Sequence, residues 1–110
     1  MRPVTDYEME VETLAAMRAA GDTPIVLDVR EPWEVELCAI PGCTHIPLGQ
    51  LASRAGALPA EEVIVVVCHH GMRSAHATAW LRQQGFDRAI NLAGGIDAWA
   101  RRIDPSMKVY

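Results

Sequence analysis

The sequence predicts an α/β fold in which a central parallel β-sheet carries helices on both faces. Two short runs of mostly branched aliphatic residues, IVLDV and VIVVV, are typical of strands that are buried on both sides. Segments of good helix formers alternate with such runs along the chain. Turns that contain glycine or proline separate the two kinds of segment. This alternation is the pattern of a parallel sheet with crossover helices.

The chain has 110 residues, of which 50% are hydrophobic and 22% are charged. We therefore expect one domain over residues 1–110, with a core at about 7–103 and an irregular surface tail at 104–110. A net charge of −4 without a lysine or arginine run argues against nucleic acid or an acidic membrane as a partner. No apolar run approaches the ~20 residues of a membrane span, and the N-terminus does not resemble a signal peptide. We expect a cytoplasmic protein. The chain has three cysteines, Cys38, Cys43 and Cys68, and this odd number argues against a disulfide framework.

The first part of the chain predicts a helix, a strand and a short helix. Residues 11–22, VETLAAMRAAGD, are rich in helix formers, and Gly21 is well placed as the C-terminal cap. A buried strand follows over Ile25 to Val29. Pro32 then stands at the first position of a short helix over WEVEL, where a proline is tolerated.

The rest of the chain continues the alternation. A brief strand at residues 44–47 and a helical stretch at 50–57 lead to the strand Val63 to Val67, the strongest strand of the chain. A helix begins at or near Ser74 and ends at Gly85. The last elements are a strand at Ala89 to Leu92, a turn at Ala93-Gly94-Gly95, and a helix over IDAWARRI.

The carboxyl ends of parallel strands gather their following loops into one cleft, where such sheets bind ligands. Three loops qualify, at residues 30–31, 68–73 and 93–95. We expect them to form the walls of a single site. We expect the helix that Gly94 and Gly95 open to direct its N-terminus at the same cleft.

Cys68 is the candidate nucleophile, because it follows a strand and precedes a helix. Peptide N–H groups and the helix N-terminus then converge above its sulfur, and with Arg73 nearby they favour the thiolate form of a cysteine. The same dipoles bind an anion, free or attached to the sulfur. Gly71 lets the backbone curl without a side-chain penalty. A buried structural cysteine is the alternative, but it rarely heads a polar, glycine-bearing loop.

Metal binding is considered because four possible ligands lie within nine residues: Cys68, His69, His70 and His76. Adjacent residues in a tight loop do not readily chelate one ion, and neither a CxxC nor an HxxxH pair is present. His76 is interpreted as a solvated residue of the following helix. We expect no metal site.

A phosphatase-type loop is the main competitor. Cysteine-dependent phosphatases place five residues between the nucleophile and the arginine, whereas four residues separate Cys68 from Arg73 here. The smaller ring of N–H donors suits a single sulfur atom better than a phosphoryl group.

The loop CHHGMRS resembles the active-site loop of the rhodanese-like (sulfurtransferase) family. Three further segments are similar to conserved blocks of that family: LDVREPWE at 27–34, IPGCTHIPLGQL at 40–51, and NLAGGIDAWA at 91–100. The resemblance extends from about residue 7 to residue 101. It implies a rhodanese-like α/β domain whose loop cysteine carries a persulfide, with no metal and no organic cofactor.

Carried over by position, Cys68 is the sulfur-bearing nucleophile, and the residues after it form the cradle of the outer sulfur: His69, His70, Gly71, Met72, Arg73 and Ser74. The resemblance makes Asp28 and Arg30 supports of the site, and fixing the loop is at least as good a role for them as contacting substrate. His69 and His70 occupy variable positions, so we interpret them as pocket lining, with a general-base role for either as the alternative.

Four other residues carry weaker expectations. Trp33 and Trp99 are interpreted as packing residues. Many relatives have glycine-histidine where this chain has Cys38-Ala39. Cys38, with Cys43 as a second candidate, is expected to resolve a persulfide as an internal disulfide if it lies near Cys68; the alternative is that both are small buried residues.

The function expected from the sequence is transfer of a sulfane sulfur from a small anionic donor such as thiosulfate to a thiol or cyanide acceptor. A sulfur-carrier or thioredoxin-like protein is a further candidate partner. Two alternatives stay open: a phosphatase or arsenate reductase-like enzyme, and a non-catalytic binding module of the same family.

Overall fold

The computed structural model describes residues 7–110. Residues 1–6, which belong to the N-terminal segment for which a signal peptide is not expected, lie outside the described part. Within it, five strands form one sheet in the order β1-β5-β4-β2-β3, and every pairing is parallel. The strands are β1 Glu8–Met9, β2 Ile25–Asp28, β3 Thr44–His45, β4 Ile64–Val67 and β5 Ala89–Leu92. The predicted parallel sheet is confirmed.

Among the described residues, four α-helices connect the strands and a fifth follows β5. They are α1 Val11–Ala19, α2 Pro32–Leu37, α3 Leu51–Arg54, α4 Met72–Gln83 and α5 Gly95–Arg102. The stretch predicted as helical at 50–57 is a single turn of α-helix between two 3₁₀ turns, Leu48–Gln50 and Ala55–Ala57. Pro32 occupies the first position of α2, as predicted, and the preceding Glu31 forms a reciprocal capping box with Glu34.

Two apolar clusters lie on opposite faces of the sheet. Alternate residues of β4 supply them: Ile64 and Val66 pack with residues of α3 and α4, while Val65 and Val67 pack with residues of α1 and α5. All four side chains are fully buried. This is why the strand has no polar alternation, and it confirms that helices cover both faces of the sheet.

The register of the strands places the ends of β2, β4 and β5 next to one another. Asp28, at the end of β2, pairs with Val67, and Val66 pairs with Asn91 of β5. The segments that follow β2, β4 and β5 therefore leave the sheet side by side, as the sequence predicts for the three loops.

Two elements differ from the sequence-based expectation. The edge strand β1 was not predicted; it has only two residues, which pair with Asn91 and Leu92 of β5. Helix α4 begins at Met72 rather than near Ser74, and its N-cap is Gly71 in a left-handed conformation, with φ of 102°. The Ser74 hydroxyl does not cap this helix, because it is engaged at the sulfur of Cys68.

The tail at 104–110 contains no helix or strand, but its side chains are not all on the surface. Met107 and Tyr110 pack against the cluster beneath α1 and α5. Among the residues from 7 onward, no helix is both long enough and apolar enough to cross a membrane.

Candidate active site

The sulfur of Cys68 lies just beyond the end of β4, in a residue that is 1% exposed. The backbone N–H of Gly71 donates a hydrogen bond to Sγ at 3.1 Å. The hydroxyl oxygen of Ser74 lies 3.2 Å from the same atom. The loop therefore bends back on its own cysteine, and the left-handed Gly71 is the residue at which it turns.

The same loop holds backbone N–H groups that are not used elsewhere. Those of five residues donate no hydrogen bond to any atom within residues 7–110: His69, His70, Met72, Arg73 and Ser74. Three of them belong to the first turn of α4, where a helix leaves its N–H groups free and carries partial positive charge. The loop thus offers a concentration of free donors beside the sulfur.

Helix α5 braces this loop from behind. The N–H groups of Ile96 and Asp97 donate to the carbonyl oxygens of Cys68 and His69, at 2.8 and 3.0 Å. A Cβ at Gly95 would overlap both of those carbonyl groups. The N-terminus of α5 is therefore aimed at the loop backbone, and these two of its N–H groups are not free for a ligand in the cleft.

A buried polar chain leads away from the sulfur through Ser74. The amide nitrogen of Asn91 donates to the Gly71 carbonyl at 3.1 Å and to a carboxylate oxygen of Glu8 at 3.3 Å. The amide oxygen is consequently the acceptor that faces the Ser74 hydroxyl, 2.5 Å away. Because that hydroxyl has one proton, Asn91 and the sulfur of Cys68 compete for it.

Arg73 is held by an acidic residue that the sequence analysis did not single out. Its two terminal nitrogens donate to the two carboxylate oxygens of Glu34 at 2.8 and 2.9 Å. These hydrogen bonds from Arg73 lower the pKa of Glu34 to about 2, and they raise the pKa of Arg73 above its usual value. The Glu34 side chain is buried while that of Arg73 is 37% exposed, so the guanidinium remains at the mouth of the site.

Asp28 and Arg30 form a fully buried pair behind the loop. The Arg30 guanidinium donates to both carboxylate oxygens of Asp28, at distances from 2.7 to 3.1 Å, and to the carbonyl oxygens of Glu34 and Cys38. Burial disfavours its charged form, but the hydrogen bonds to Asp28 and Tyr110 outweigh burial and raise the pKa of Arg30. Arg30 is 0% exposed, and this arrangement fits the supporting role rather than substrate contact.

Tyr110 joins these groups from the tail. Its hydroxyl accepts from Arg30 at 2.8 Å and donates to Glu34 at 2.7 Å. Its ring stacks on His69, with centroids 3.8 Å apart and planes 5° apart. Burial raises the pKa of Tyr110 to about 12, so the phenol stays neutral and keeps the proton that it donates.

The aromatic residues near the loop form a row. His69 stacks on His70 with ring centroids 3.9 Å apart, and the Trp33 ring contacts the Tyr110 ring edge-on with centroids 5.7 Å apart. Trp99 is a buried packing residue, as expected, but the same expectation is wrong for Trp33, which is 61% exposed. Trp33 occupies the second position of α2, on the side that faces solvent and Tyr110.

The two loop histidines differ in their surroundings. Burial and the neighbouring His70 lower the pKa of His69, so its imidazole is neutral near pH 7. Nε2 of His69 is buried without a hydrogen-bond partner among the described residues. His70 is exposed, and its imidazole lies 4.0 Å from Asp97. These positions agree with pocket lining; among the described residues, the hydrogen bonds to Sγ come from Gly71 and Ser74 and not from either histidine.

His69, His70 and Asp97 each place one possible metal-ligating atom within 4.8 Å of the others. Asp97 was not considered in the sequence analysis because it lies on α5. Its carboxylate already pairs with Arg101 through both oxygens, at 3.0 Å. Arg101 therefore already neutralises this carboxylate, and a metal ion would have to displace it.

The three cysteines are all free thiols. Cys38 is buried in the cluster beneath α1 and α5, and Cys43 packs against that cluster. Cys68 belongs to the cluster on the other face of the sheet. Burial raises the pKa of Cys43. This placement favours the interpretation of Cys38 and Cys43 as small buried residues over a redox partnership with Cys68.

Sequence reasoning missed three residues of this site, for different reasons. Glu34 lies inside the block LDVREPWE and was passed over as part of a general resemblance. Asn91 is the one polar residue of an otherwise apolar strand, and that contrast was a usable signal. Tyr110 lies in an irregular segment, where no periodicity indicates what a side chain contacts.

The site defines a class of α/β protein: a cysteine at the end of a strand of an all-parallel sheet, followed by a short loop of hydrogen-bond donors. Comparison with known proteins identifies this class. The family model of the rhodanese-like domain matches residues 10–102 of the sequence, and the chain belongs to that family. A protein named sulfurtransferase from Allochromatium vinosum is 36% identical over 94 residues, which are 86% of this chain and 88% of that protein.

Two further relatives extend the comparison. YrkF of Bacillus subtilis, named as a sulfur carrier protein, is 35% identical over 97 residues; the match covers 88% of this chain but only about half (52%) of that protein. The crystal structure of a rhodanese-related protein from Thermoplasma volcanium superposes with a TM-score of 0.80 at 31% identity, covering 87% of this chain and 92% of that one.

Proposed function

We propose that this protein is a sulfurtransferase that carries a sulfane sulfur as a persulfide on Cys68. The observation that carries the proposal is the loop itself: one N–H donates to Sγ and five others beside it have no acceptor within the described residues. Such donors stabilise negative charge on a sulfur and on a second sulfur bound to it. The names of the relatives as sulfurtransferase and sulfur carrier support the same reading.

The reaction proceeds in two displacements. In the first, the Cys68 thiolate attacks the outer sulfur of thiosulfate; an S–S bond forms at Sγ, the S–S bond of thiosulfate breaks, and sulfite leaves with the electron pair. In the second, cyanide or a thiolate attacks the outer sulfur of the persulfide. The Sγ–S bond breaks, thiocyanate or a new persulfide leaves, and the Cys68 thiolate is restored.

The loop after Cys68 and the side chain of Arg73 have different roles in these two steps. The free N–H groups hold the outer sulfur, which is negatively charged while it is bound to Cys68. The partly exposed Arg73 guanidinium attracts the anionic donor to the mouth of the site and supports the departing sulfite. No metal or organic cofactor takes part in either step.

Mass spectrometry tests the proposal directly. Incubation with thiosulfate adds one sulfur, about 32 Da, to the intact protein, and cyanide removes it again. The substitution Cys68→Ser abolishes the gain, while the matched variants Cys38→Ser and Cys43→Ser retain it. A wild-type protein that gains no sulfur from thiosulfate or from any other sulfane donor contradicts the proposal.

The same sample distinguishes the alternatives. A phosphatase or arsenate reductase-like enzyme hydrolyses an aryl phosphate or reduces arsenate without taking up sulfur. A binding module does neither. The four-residue spacing between Cys68 and Arg73 predicts no phosphatase activity, because the loop is too short to encircle a phosphoryl group.

A further inference from the structure

Tyr110 lies outside residues 10–102, the part of the chain that the family model matches. Its contacts with the candidate active site are nevertheless as close as those of residues within that range. It is therefore a feature of this chain that the family resemblance does not account for. Its position raises the question of what it does to the reaction at Cys68.

The side chain of Tyr110 contacts one residue of the loop and one residue that supports the loop. Its ring lies against His69, the residue that directly follows the nucleophile, with ring centroids 3.8 Å apart. Its hydroxyl contacts Glu34, which holds Arg73 near the end of the same loop. The ring thus forms a wall beside the loop, fixed at one end by stacking and at the other by hydrogen bonds.

The hydrogen bonds fix the direction of the phenol as well as its place. The Arg30 guanidinium can only donate hydrogen bonds, so the Tyr110 oxygen accepts one from it. The single hydroxyl proton of Tyr110 is therefore donated to Glu34. Arg30 is itself immobilised by Asp28. A ring held by a buried ion pair on one side and by a stacked imidazole on the other has little freedom to swing away.

We propose that Tyr110 is a specificity-determining residue of the sulfur-transfer site. Its ring lies against the residue next to Cys68 and narrows the approach to this buried cysteine, so that small ions reach the sulfur and larger thiols are held off. This inference rests on the proposed function and names the class of acceptor that the site takes. The favoured acceptors are small nucleophilic anions such as cyanide.

The ring and the hydroxyl have separable effects. Tyr110→Phe keeps the ring against His69 and loses only the hydrogen bonds to Arg30 and Glu34. Tyr110→Ala removes the wall altogether, and Tyr110→Leu removes its flat stacking surface while keeping an apolar side chain. If the ring sets acceptor size, selectivity follows the presence of the ring and not that of the hydroxyl.

The experiment measures kcat/KM for two acceptors, glutathione and cyanide, with thiosulfate as donor in the full chain. Glutathione thiolate takes the outer sulfur as glutathione persulfide, which is trapped by alkylation and quantified by mass spectrometry. Tyr110→Ala raises the ratio of glutathione to cyanide kcat/KM about tenfold over wild type, the scale on which pocket size discriminates substrates. Tyr110→Phe stays within about twofold of wild type.

Tyr7→Ala is the matched control. Tyr7 is a second partly exposed tyrosine, packed on Arg82 near the far end of α4 rather than on the loop, and its loss leaves the ratio unchanged. A ratio of two kcat/KM values does not depend on how much of a sample is active. If Tyr110→Ala fails to fold, Tyr110→Leu is judged by the same ratio.

A ratio that stays at the wild-type value in Tyr110→Ala, or in Tyr110→Leu where Ala does not fold, overturns the inference. A ratio that rises equally in Tyr110→Phe also overturns it, because the hydroxyl rather than the ring would then set selectivity. Failure of the proposed function is distinct: wild type itself would take up no sulfur, and neither acceptor would react.

Discussion

Glu34 and Arg73, 39 residues apart in the chain, form a two-pronged ion pair in which each carboxylate oxygen accepts one hydrogen bond from the guanidinium. The pair joins α2 to the first turn of α4. Glu34 also accepts from Tyr110 and is buried, whereas Arg73 is partly exposed. The carboxylate therefore fixes the arginine at the edge of the cleft and leaves one face of the guanidinium open to solvent.

Glu34→Gln weakens both the fold and the reaction. The amide keeps the shape of the side chain but removes the negative charge that Arg73 and Tyr110 contact. We expect the free energy of unfolding to fall by about 1–3 kcal/mol, less than for a fully buried pair because Arg73 is partly exposed. We expect kcat/KM with thiosulfate to fall about tenfold, which is about 1.4 kcal/mol of transition-state stabilisation.

Urea unfolding and steady-state kinetics measure the two effects, and Glu36→Gln is the control. Glu36 lies on the same helix with an exposed side chain, so its replacement leaves both quantities near wild type. Unaltered kinetics in Glu34→Gln would show that Arg73 acts without a fixed orientation.

Stability at acid pH depends on the same carboxylate. The pKa of Glu34 is about 2 in the folded protein against 4.5 for an unperturbed side chain, chiefly because of its hydrogen bonds from Arg73. A folded-state pKa below the unfolded value contributes stability that is complete above about pH 4.5 and is lost as the pH falls towards 2. Between pH 6 and pH 3, we expect wild type to lose about 1–2 kcal/mol through this group.

The measurement is urea unfolding of wild type and Glu34→Gln at both pH values. Their difference in unfolding free energy is expected to shrink at pH 3, since the variant has no carboxyl group to protonate there. An unchanged difference at the two pH values would refute the assignment to Glu34.

Ser74 supplies a proton to whichever acceptor holds more negative charge, the amide oxygen of Asn91 or the sulfur of Cys68. Once the thiolate forms, the hydroxyl turns towards it, because a hydrogen bond to an anion is stronger than one to an amide. Ser74→Ala removes this hydrogen bond. We expect the rate of Cys68 alkylation by iodoacetamide at pH 7 to fall about five- to tenfold, the effect of losing about 1 kcal/mol.

Pseudo-first-order alkylation, followed by peptide mass spectrometry at Cys68, provides the readout. The control is Ser53→Ala, which removes a hydroxyl that contacts only the Gln50 carbonyl on the exposed surface. Equal rates in wild type and Ser74→Ala would mean that the Gly71 N–H and the free donors stabilise the thiolate without the serine.

Features that depend on residues close together in the chain can be predicted from the sequence, whereas features that depend on contacts between distant residues cannot. The run of aliphatic residues at 63–67 predicts a buried strand because each of these side chains favours burial whatever its distant neighbours are. The strand β4 confirms the prediction. The strand β1 has no such signal, since two residues at a sheet edge owe their conformation to the neighbour they pair with. Position along the chain also predicts that the segments after β2, β4 and β5 meet, because parallel strands end at the same edge.

Within the site, the loop itself is predicted and its surroundings are not. The order of Cys68, Gly71 and Arg73 indicates a donor loop before a helix, and the structure builds one. Glu34 contacts Arg73 although 39 residues separate the two in the chain. Asn91 contacts Gly71 and is itself in contact with Glu8, which is 83 residues away from it. Such pairings follow from the fold rather than from spacing. Ser74 illustrates the limit: its position suggests a helix start, whereas its hydroxyl contacts the sulfur.

The close approach of α5 to the loop leads to the last prediction. Gly95 adopts a positive φ of 63°, and a Cβ there would overlap the carbonyl groups of Cys68 and His69. The Ile96 N–H holds the helix close to the loop, because it donates to the same Cys68 carbonyl, so a Cβ at Gly95 can be accommodated only if that hydrogen bond is disturbed. Gly95→Ala therefore pushes the nucleophile out of its donor ring; we expect a loss of about 2–4 kcal/mol in unfolding free energy.

Gly49→Ala provides the matched comparison, since a Cβ at that glycine meets no atom within 4 Å and its φ is not positive. Thermal unfolding compares the two variants, and thiosulfate labelling of the folded fraction reports on the nucleophile. Gly49→Ala is expected to match wild type in both. A Gly95→Ala protein that is as stable as Gly49→Ala and takes up sulfur at the wild-type rate would contradict the bracing role of α5, because the loop would then tolerate displacement from the helix that supports it.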